Sequence, residues 1–556
     1  VASYVAAVSR GATFQRAGAL RTPVLLAGLT ILALVLRLWA LDRVPPGLDS
    51  DEASIGYNAY AMARTGRDEY GAAHPLAFRA YGEYKRPVAI YAAVPFVAVL
   101  GPTVAAVRLP AALAGTLSVP AMYTVGALLF RSRRSGLIAA AMLAISPWHL
   151  QFTRAAREVA FLLLALLLLA AALLAAVHTA SWLYIGAAGA ALLAIYSYPG
   201  GPLIAPALAL LLLVAYAPRV TCAPRRWLLA AAAIFALGAL PLVVQLIDGR
   251  ARARLGQASL LDVPALQQQA QRRLAWDARD GLPGLLQQPW AVAGRAAIDA
   301  YLSHFDPTFL FTRGDQEWRH HASDSANLYL WDAPLIALGL LRIARHPRRP
   351  ALLVTGGWLL LGPLPAAFAE NAPHAVRSIA MLPAWYLAAA AGAPRLWRWL
   401  CRRRLQWDWL LLLALSVGYY LLAYYRYYPR EHARDWSSGQ AEAFRAALAQ
   451  VESGRYEWIV VARESGFSYA TILYSVGYDP AVYLAQGGTP TVPDAPQRFA
   501  PFELRSVDWA KESPLPGVLY VVGSGTGLPS GARVVQRIDD AGGAEALLLV
   551  DLAPAS

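Results

Sequence analysis

Up to Tyr425 the chain alternates long apolar blocks with short polar connections. The blocks run about 16 to 25 residues, the length that crosses roughly 30 Å of hydrocarbon at 1.5 Å per residue. Phe161 to Val177, reading FLLLALLLLAAALLAAV, is the plainest of them. The first, Thr22 to Leu41, lacks a small-residue cleavage site and is followed by further blocks, so it reads as a retained helix. The pattern predicts additional spans near 104–130, 136–150, 159–177, 182–198, 202–217, 228–247, 328–343, 351–369, 376–393 and 407–425. One more apolar segment, PVAIYAAVPFVAVLG at 87–101, either crosses as well or stays at the interface.

Charge decides between the two. If 87–101 crosses, Arg131, Arg133 and Arg134 fall outside with Arg219, Arg225 and Arg226, against the positive-inside tendency. If it lies at the interface or dips in and returns, every strong basic cluster becomes cytoplasmic. These are Arg10/Arg16/Arg21, the two just named, Arg345/Arg348/Arg349 and Arg398/Arg402/Arg403/Arg404. That parity predicts about eleven spans, with the amino terminus inside and the carboxyl terminus outside. The external connections are then 42–103, 151–158, 248–327 and 370–376.

After Tyr425 the pattern is that of a soluble domain: a helical stretch (AEAFRAALAQVES), short β-rich runs (YEWIVVA, GVLYVVG, EALLLVD) and Gly/Pro turns. The expected fold class is a mainly α polytopic membrane domain over 1–425, followed by a small soluble α/β domain over 426–556 on the outer face. Composition agrees: 57% of the 556 residues are hydrophobic, too many for a set of soluble domains. The net charge of +14 comes from the short clusters between blocks, not from a continuous basic stripe with aromatics, which argues against a nucleic-acid partner. Cys222 and Cys401 both fall in arginine-rich connections and imply no disulfide or metal framework.

The candidate chemistry gathers in the external connections. Asp49, Asp51 and Glu52 follow the first span, and Glu83 and Lys85 precede the interfacial segment, so acids and a cation meet at headgroup depth, where a lipid phosphate lies. In SPWHLQFTRAAREVAF, Arg154 and Arg157 share a helical face, and Glu158 is four residues from Arg154 and able to pair with it. Ionisable groups at a span boundary are costly and mark a functional cavity by default. The run AENAPHAVRSIAMLP offers Glu370, His374 and Arg377; a guanidinium matches phosphate oxygens bidentately and stays charged. Lys85, Arg154, Arg157 and Arg377 form the expected phosphate cradle. The long connection holds His304, Asp306, Asp315, Glu317, His320 and His321, read as substrate or lid residues more than as a metal site; a divalent metal stays possible and no metal ligand is assigned. YSYPGGP (Tyr196 to Pro202) reads as a plain external turn.

Four motifs in order carry a family resemblance: the Asp51-Glu52 pair, Lys85-x-Pro87, the Arg154/Arg157/Glu158 group, and Pro373-His374-x-x-Arg377. Together they resemble the GT-C glycosyltransferases, and within them the bacterial relatives of dolichyl-phosphate-mannose protein mannosyltransferases and of the lipid A aminoarabinose transferase. The likeness covers roughly 20–395 and is strongest in 42–160 and 301–384. It implies a GT-C fold and inverting transfer of a sugar from a polyprenyl-phosphate donor to a protein, lipid or glycan acceptor outside a bacterial plasma membrane. By the same resemblance Asp51 is the base with Glu52 beside it, Glu158 is the second-loop acid, and Lys85 contacts the phosphate. Where the aminoarabinose transferases read Lys-Pro-Pro, this chain reads Lys85-Arg86-Pro87. A transporter or lipid-linked sugar flippase is the competing class, although such proteins place polar groups in broken helices at the bilayer midplane.

Overall fold

The computed structural model describes residues 21–247, 264–280, 284, 287–346, 349–368, 371–490 and 496–552. Arg10, Arg16, Arg348, Glu370 and part of the connection 248–327 lie outside the described residues. Among the described residues, six helices are long and apolar enough to cross a membrane: Arg21–Leu38, Val104–Phe130, Glu158–His178, Arg225–Gln245, Pro350–Ala367 and Gln406–Glu431. Shorter apolar helices, Leu183–Ser197 and Gly201–Ala215, pack against them.

Some predicted blocks break where local chemistry requires it. The block 136–150 is two helices, Arg133–Ile145 and Pro147–Thr153, because Ser146 accepts the His149 N–H at 3.2 Å and Pro147 starts a new first turn. The block 376–393 begins as the short helix Ala375–Ser378 and a 3₁₀ turn, then continues as Leu382–Arg403. The ambiguous segment is the helix Pro87–Leu100; its 14 residues give about 21 Å of rise, less than the hydrocarbon thickness. Small residues let helices approach closely: a Cβ on Gly339 of Asp332–Arg345 would sit 1.9 Å from the Ala388 carbonyl oxygen, and one on Gly392 2.1 Å from that of Leu335.

Beyond the last long helix, the runs read as strands are strands. Trp458–Ala462 (β3), Val518–Gly523 (β6) and Glu545–Asp551 (β8) join Gln497–Phe499 (β4), Phe502–Arg505 (β5) and Arg533–Asp539 (β7) in the order β4-β5-β3-β6-β8-β7. β3 runs parallel to β5 and β6, and the remaining pairs are antiparallel. The helix Gln440–Glu452 packs on this sheet, while Tyr469–Ser475 and Pro480–Ala485 pack on the first-loop helix Ser50–Thr65. Gly56 makes room for that contact: a Cβ there would lie 2.7 Å from the Tyr474 ring. The Tyr474 hydroxyl donates to the Thr103 carbonyl at 2.8 Å, and the Tyr81 and Ser468 hydroxyls bond at 2.7 Å.

Glu69 is fully buried in this contact. Its carboxyl accepts from Asn58 at 3.2 Å, the Tyr469 hydroxyl at 3.1 Å and the Thr489 hydroxyl at 3.3 Å. Burial outweighs those donors, and neighbouring Asp68 adds to it, pushing the group up to about 8 from 4.5. A carboxyl raised in the packed state holds its proton more tightly there, so its contribution is complete below about 4.5 and is lost as pH rises through about 8. Thermal stability should fall across that window, and Glu69→Gln should flatten the slope. A variant with the wild-type slope would remove Glu69 as its source.

Candidate functional site

The first-loop helix starts where Asp49 caps it, its Oδ1 accepting the Glu52 N–H at 2.8 Å. Successive helical residues turn about 100° apart, so Asp51 and Glu52 face different surroundings. Glu52 is fully buried, accepting from Arg108 Nε at 2.8 Å and Nη2 at 2.7 Å and from the Ala156 N–H at 2.8 Å. Burial opposes its charge, but Arg108 outweighs burial and the carboxyl is held below its ordinary value. Arg108 also donates to the carbonyls of Leu41, Pro45 and Gly47, tying the exit of the first span to the start of the first-loop helix.

Asp51 faces outward with 48% of its side chain exposed. Lys85 Nζ lies 2.5 Å from one of its oxygens and Arg157 Nη1 3.2 Å from the other. Lys85 arrives on the hairpin of Phe78–Ala80 (β1) and Glu83–Lys85 (β2), whose turn uses Tyr81 and Gly82 at positive φ. Arg157 also pairs with buried Asp49, which Arg319 approaches at 3.9 Å.

Arg154, Arg157 and Glu158 do not share one helical face. Residues 154–157 form the turn between Pro147–Thr153 and Glu158–His178, so each side chain goes its own way. Arg154 is fully buried and donates to the carbonyls of Leu36, Arg37, Trp39, Ala40 and Val44, capping the first span. Glu158 turns instead to the Arg86 N–H at 3.3 Å.

A cavity of about 550 Å³ opens at this place, lined by Asp51, Lys85, Arg157, Glu158, His374 and Arg377 among the residues expected from sequence. Glu52 and Arg154 stand behind its wall, and half-buried Glu83 is not part of the lining. Asp315, Glu317 and His320 of the long connection also line it. So do Arg319, Asn371 and Tyr198, which were not singled out; the YSYPGGP turn therefore contributes a wall residue. Arg319 sits beside His320 in the long connection, where no spacing marks it, whereas Arg108 is a charge within an apolar span, the signal that marks a buried partner.

Asp315 joins two connections. Its Oδ2 accepts the Ala375 N–H at 2.6 Å and bonds His320 Nδ1 at 2.7 Å, with His374 Nδ1 at 3.9 Å. Burial works against its charge, yet the His320 hydrogen bond and the Ala375 N–H prevail, and the carboxyl falls to about 2. Burial, then His320 and Arg377, lowers His374 to about 3, leaving it a neutral imidazole whose buried Nδ1 has no hydrogen-bond partner. Candidate ligand atoms of Asp315, His320 and His374 all lie within 4.8 Å of one another. Two neutral imidazoles and a carboxylate suit a divalent ion such as zinc, which would supply Lewis acidity at the cavity wall. His321 takes no part; its ring bonds the Asp315 and Ala322 carbonyls.

Within the cavity the cations Lys85, Arg157 and Arg377 line the same space as Asp51. For the phosphate cradle expected from sequence, Lys85→Ala and Arg377→Ala should each weaken binding of a lipid phosphate by about tenfold or more, the cost of a lost charge-assisted bond. Equal affinity in both variants would eliminate the cradle.

Residues 84–244 match the model of the dolichyl-phosphate-mannose-protein mannosyltransferase family. No curated protein matches the sequence. Among solved structures, the chain is similar to ArnT from Cupriavidus metallidurans bound to undecaprenyl phosphate, with 14% identity, a TM-score of 0.52, and coverage of 95% of this chain and 99% of that one. It is also similar to the Archaeoglobus fulgidus oligosaccharyltransferase complexed with Zn and sulfate, at 14% identity and TM-score 0.47, covering 82% of this chain and 61% of that one. The S. cerevisiae Pmt1-Pmt2 complex bound to the sugar donor matches at 17% identity and TM-score 0.32, over 42% and 34% of the two chains. The chain thus spans less than two thirds of the oligosaccharyltransferase. The fold is the one shared with that ArnT structure, the GT-C fold expected from sequence, with a strand-rich unit after the last long helix.

Proposed function

We propose that this protein is an inverting glycosyltransferase that moves a sugar from a polyprenyl-phosphate carrier to an acceptor on the outer face of a bacterial plasma membrane. The observation that carries the proposal is the place of Asp51: half exposed in the cavity, between Lys85 and Arg157, with Arg377 in the same wall. Support for the carrier comes from the fold shared with ArnT, whose structure holds undecaprenyl phosphate.

In the proposed reaction Asp51 takes the proton of the acceptor hydroxyl, whose oxygen bonds the anomeric carbon from the side opposite the phosphate. The bond from that carbon to the phosphate oxygen breaks, and its electron pair leaves on polyprenyl phosphate. Lys85, Arg157 and Arg377 receive that charge. Glu158, on the same wall, is placed to orient the acceptor. In this arrangement the chain crosses the membrane about eleven times, with residues 426–556 outside.

The test is direct. The purified protein is incubated with a panel of polyprenyl-phosphate sugars and free polyprenyl phosphate is measured. Release from at least one donor is the expected result, and none from any donor, with or without added zinc and a mixed acceptor extract, would defeat the proposal.

A further inference from the structure

A second cavity of about 530 Å³ backs onto the first, and Asp315 and Gln316 line both. Its walls include Trp318, Arg313, Asp306, Asp324, Thr308 and Ser325, none of which the proposed transfer step uses. The volume falls in the range of small-molecule sites, about 300 to 1,000 Å³.

The lining brings two carboxylates, a guanidinium and one indole into the same cavity. Trp318 keeps 48% of its surface open while His432 stacks on it at 4.6 Å and 22° and His321 tilts against it at 5.2 Å and 46°, which together set the plane of the ring. Asp306 has one oxygen fixed by the Thr308 N–H at 2.7 Å, and Asp324 one oxygen fixed by the Tyr419 hydroxyl at 3.1 Å. Carboxylates and a guanidinium pair with neighbouring hydroxyls through two parallel bonds, and an indole covers the C–H face of a pyranose ring. Peptides are often recognised along an exposed strand edge, in a helix groove or in an aromatic channel for an extended chain. Here the walls come from the turn Thr308–Thr312 and the 3₁₀ turn Trp318–His320, with no strand among the described lining residues.

We propose that the second cavity is the acceptor site and that the acceptor is a carbohydrate, its reactive hydroxyl reaching Asp51 past Asp315 and Gln316. This rests on the glycosyltransferase reading. It narrows the transfer to a glycoside product: the acceptor oxygen gains the anomeric carbon, its proton goes to Asp51, and polyprenyl phosphate leaves.

Full-length protein in detergent is titrated with a panel of methyl glycosides and disaccharides, with binding followed by saturation-transfer NMR. Undecaprenyl-phosphate binding is measured on the same samples. At least one saccharide should bind, and Trp318→Ala and Arg313→Ser should each weaken it by about tenfold or more, as for central contact residues. Undecaprenyl-phosphate affinity should be unchanged in both. Saccharides that fail to bind, that bind both variants as well as wild type, or that are displaced in this role by a Ser/Thr peptide sensitive to the same substitutions would overturn the inference. Failure of the donor reading shows separately, as absent undecaprenyl-phosphate binding by the wild-type protein.

Discussion

Asp51→Asn is expected to lower sugar transfer by on the order of 10² to 10⁴-fold, the usual contribution of a general base. The folded protein should persist, because the side chain is half exposed and the amide keeps its shape. Carrier binding should hold or tighten, since Lys85 and Arg157 lose a competitor for the phosphate. The neighbouring acids give the contrast. Asp49 caps the helix and pairs with Arg157, and Glu52 is enclosed with Arg108, so neither opens to the cavity as Asp51 does. Asn or Gln at those positions should lower stability along with activity. Purified Asp51→Asn retaining more than about a tenth of wild-type transfer would move the base elsewhere.

The largest stability effect is expected at Arg108. Arg108→Met leaves Glu52 buried without its counter-ion, a change that costs about 3 to 5 kcal/mol when one partner of a buried pair is removed. It also releases three carbonyls at the end of the first span. Thermal unfolding in detergent should show a sharply lowered midpoint. Adding Glu52→Gln to Arg108→Met should recover part of it, because the stranded charge is gone. A double variant no more stable than Arg108→Met alone would mean that the lost carbonyl bonds, not the bare carboxylate, dominate.

Periodicity and charge carried much of this structure because both are local. Apolar length marked the helices that the fold assembles, and the alternating runs after Tyr425 became β3, β6 and β8. The acid and cation motifs pointed to one cavity, which Asp51, Lys85, Arg157, Glu158, His374 and Arg377 line together. What spacing did not show was direction. Helical geometry was assumed for Arg154 and Arg157, whereas Ser146 and Pro147 start a short helix that ends at Thr153 and sends Arg154 into the core. Spacing alone does not tell adjacent Asp51 from Glu52; their surroundings separate once Arg108 arrives from 56 residues away. Asp315, His320 and His374 likewise meet only through folding, since the carboxylate spans two connections 60 residues apart.

The close seating of Tyr474 over Gly56 has a consequence for biogenesis. Ribosomes make the helix bearing Asp51 some 400 residues before the partner that covers its outer side. A nascent chain halted before that partner leaves Glu69 and the neighbouring tyrosines bare, so the outer side of this helix is completed only once residues around Tyr469 to Tyr474 have emerged.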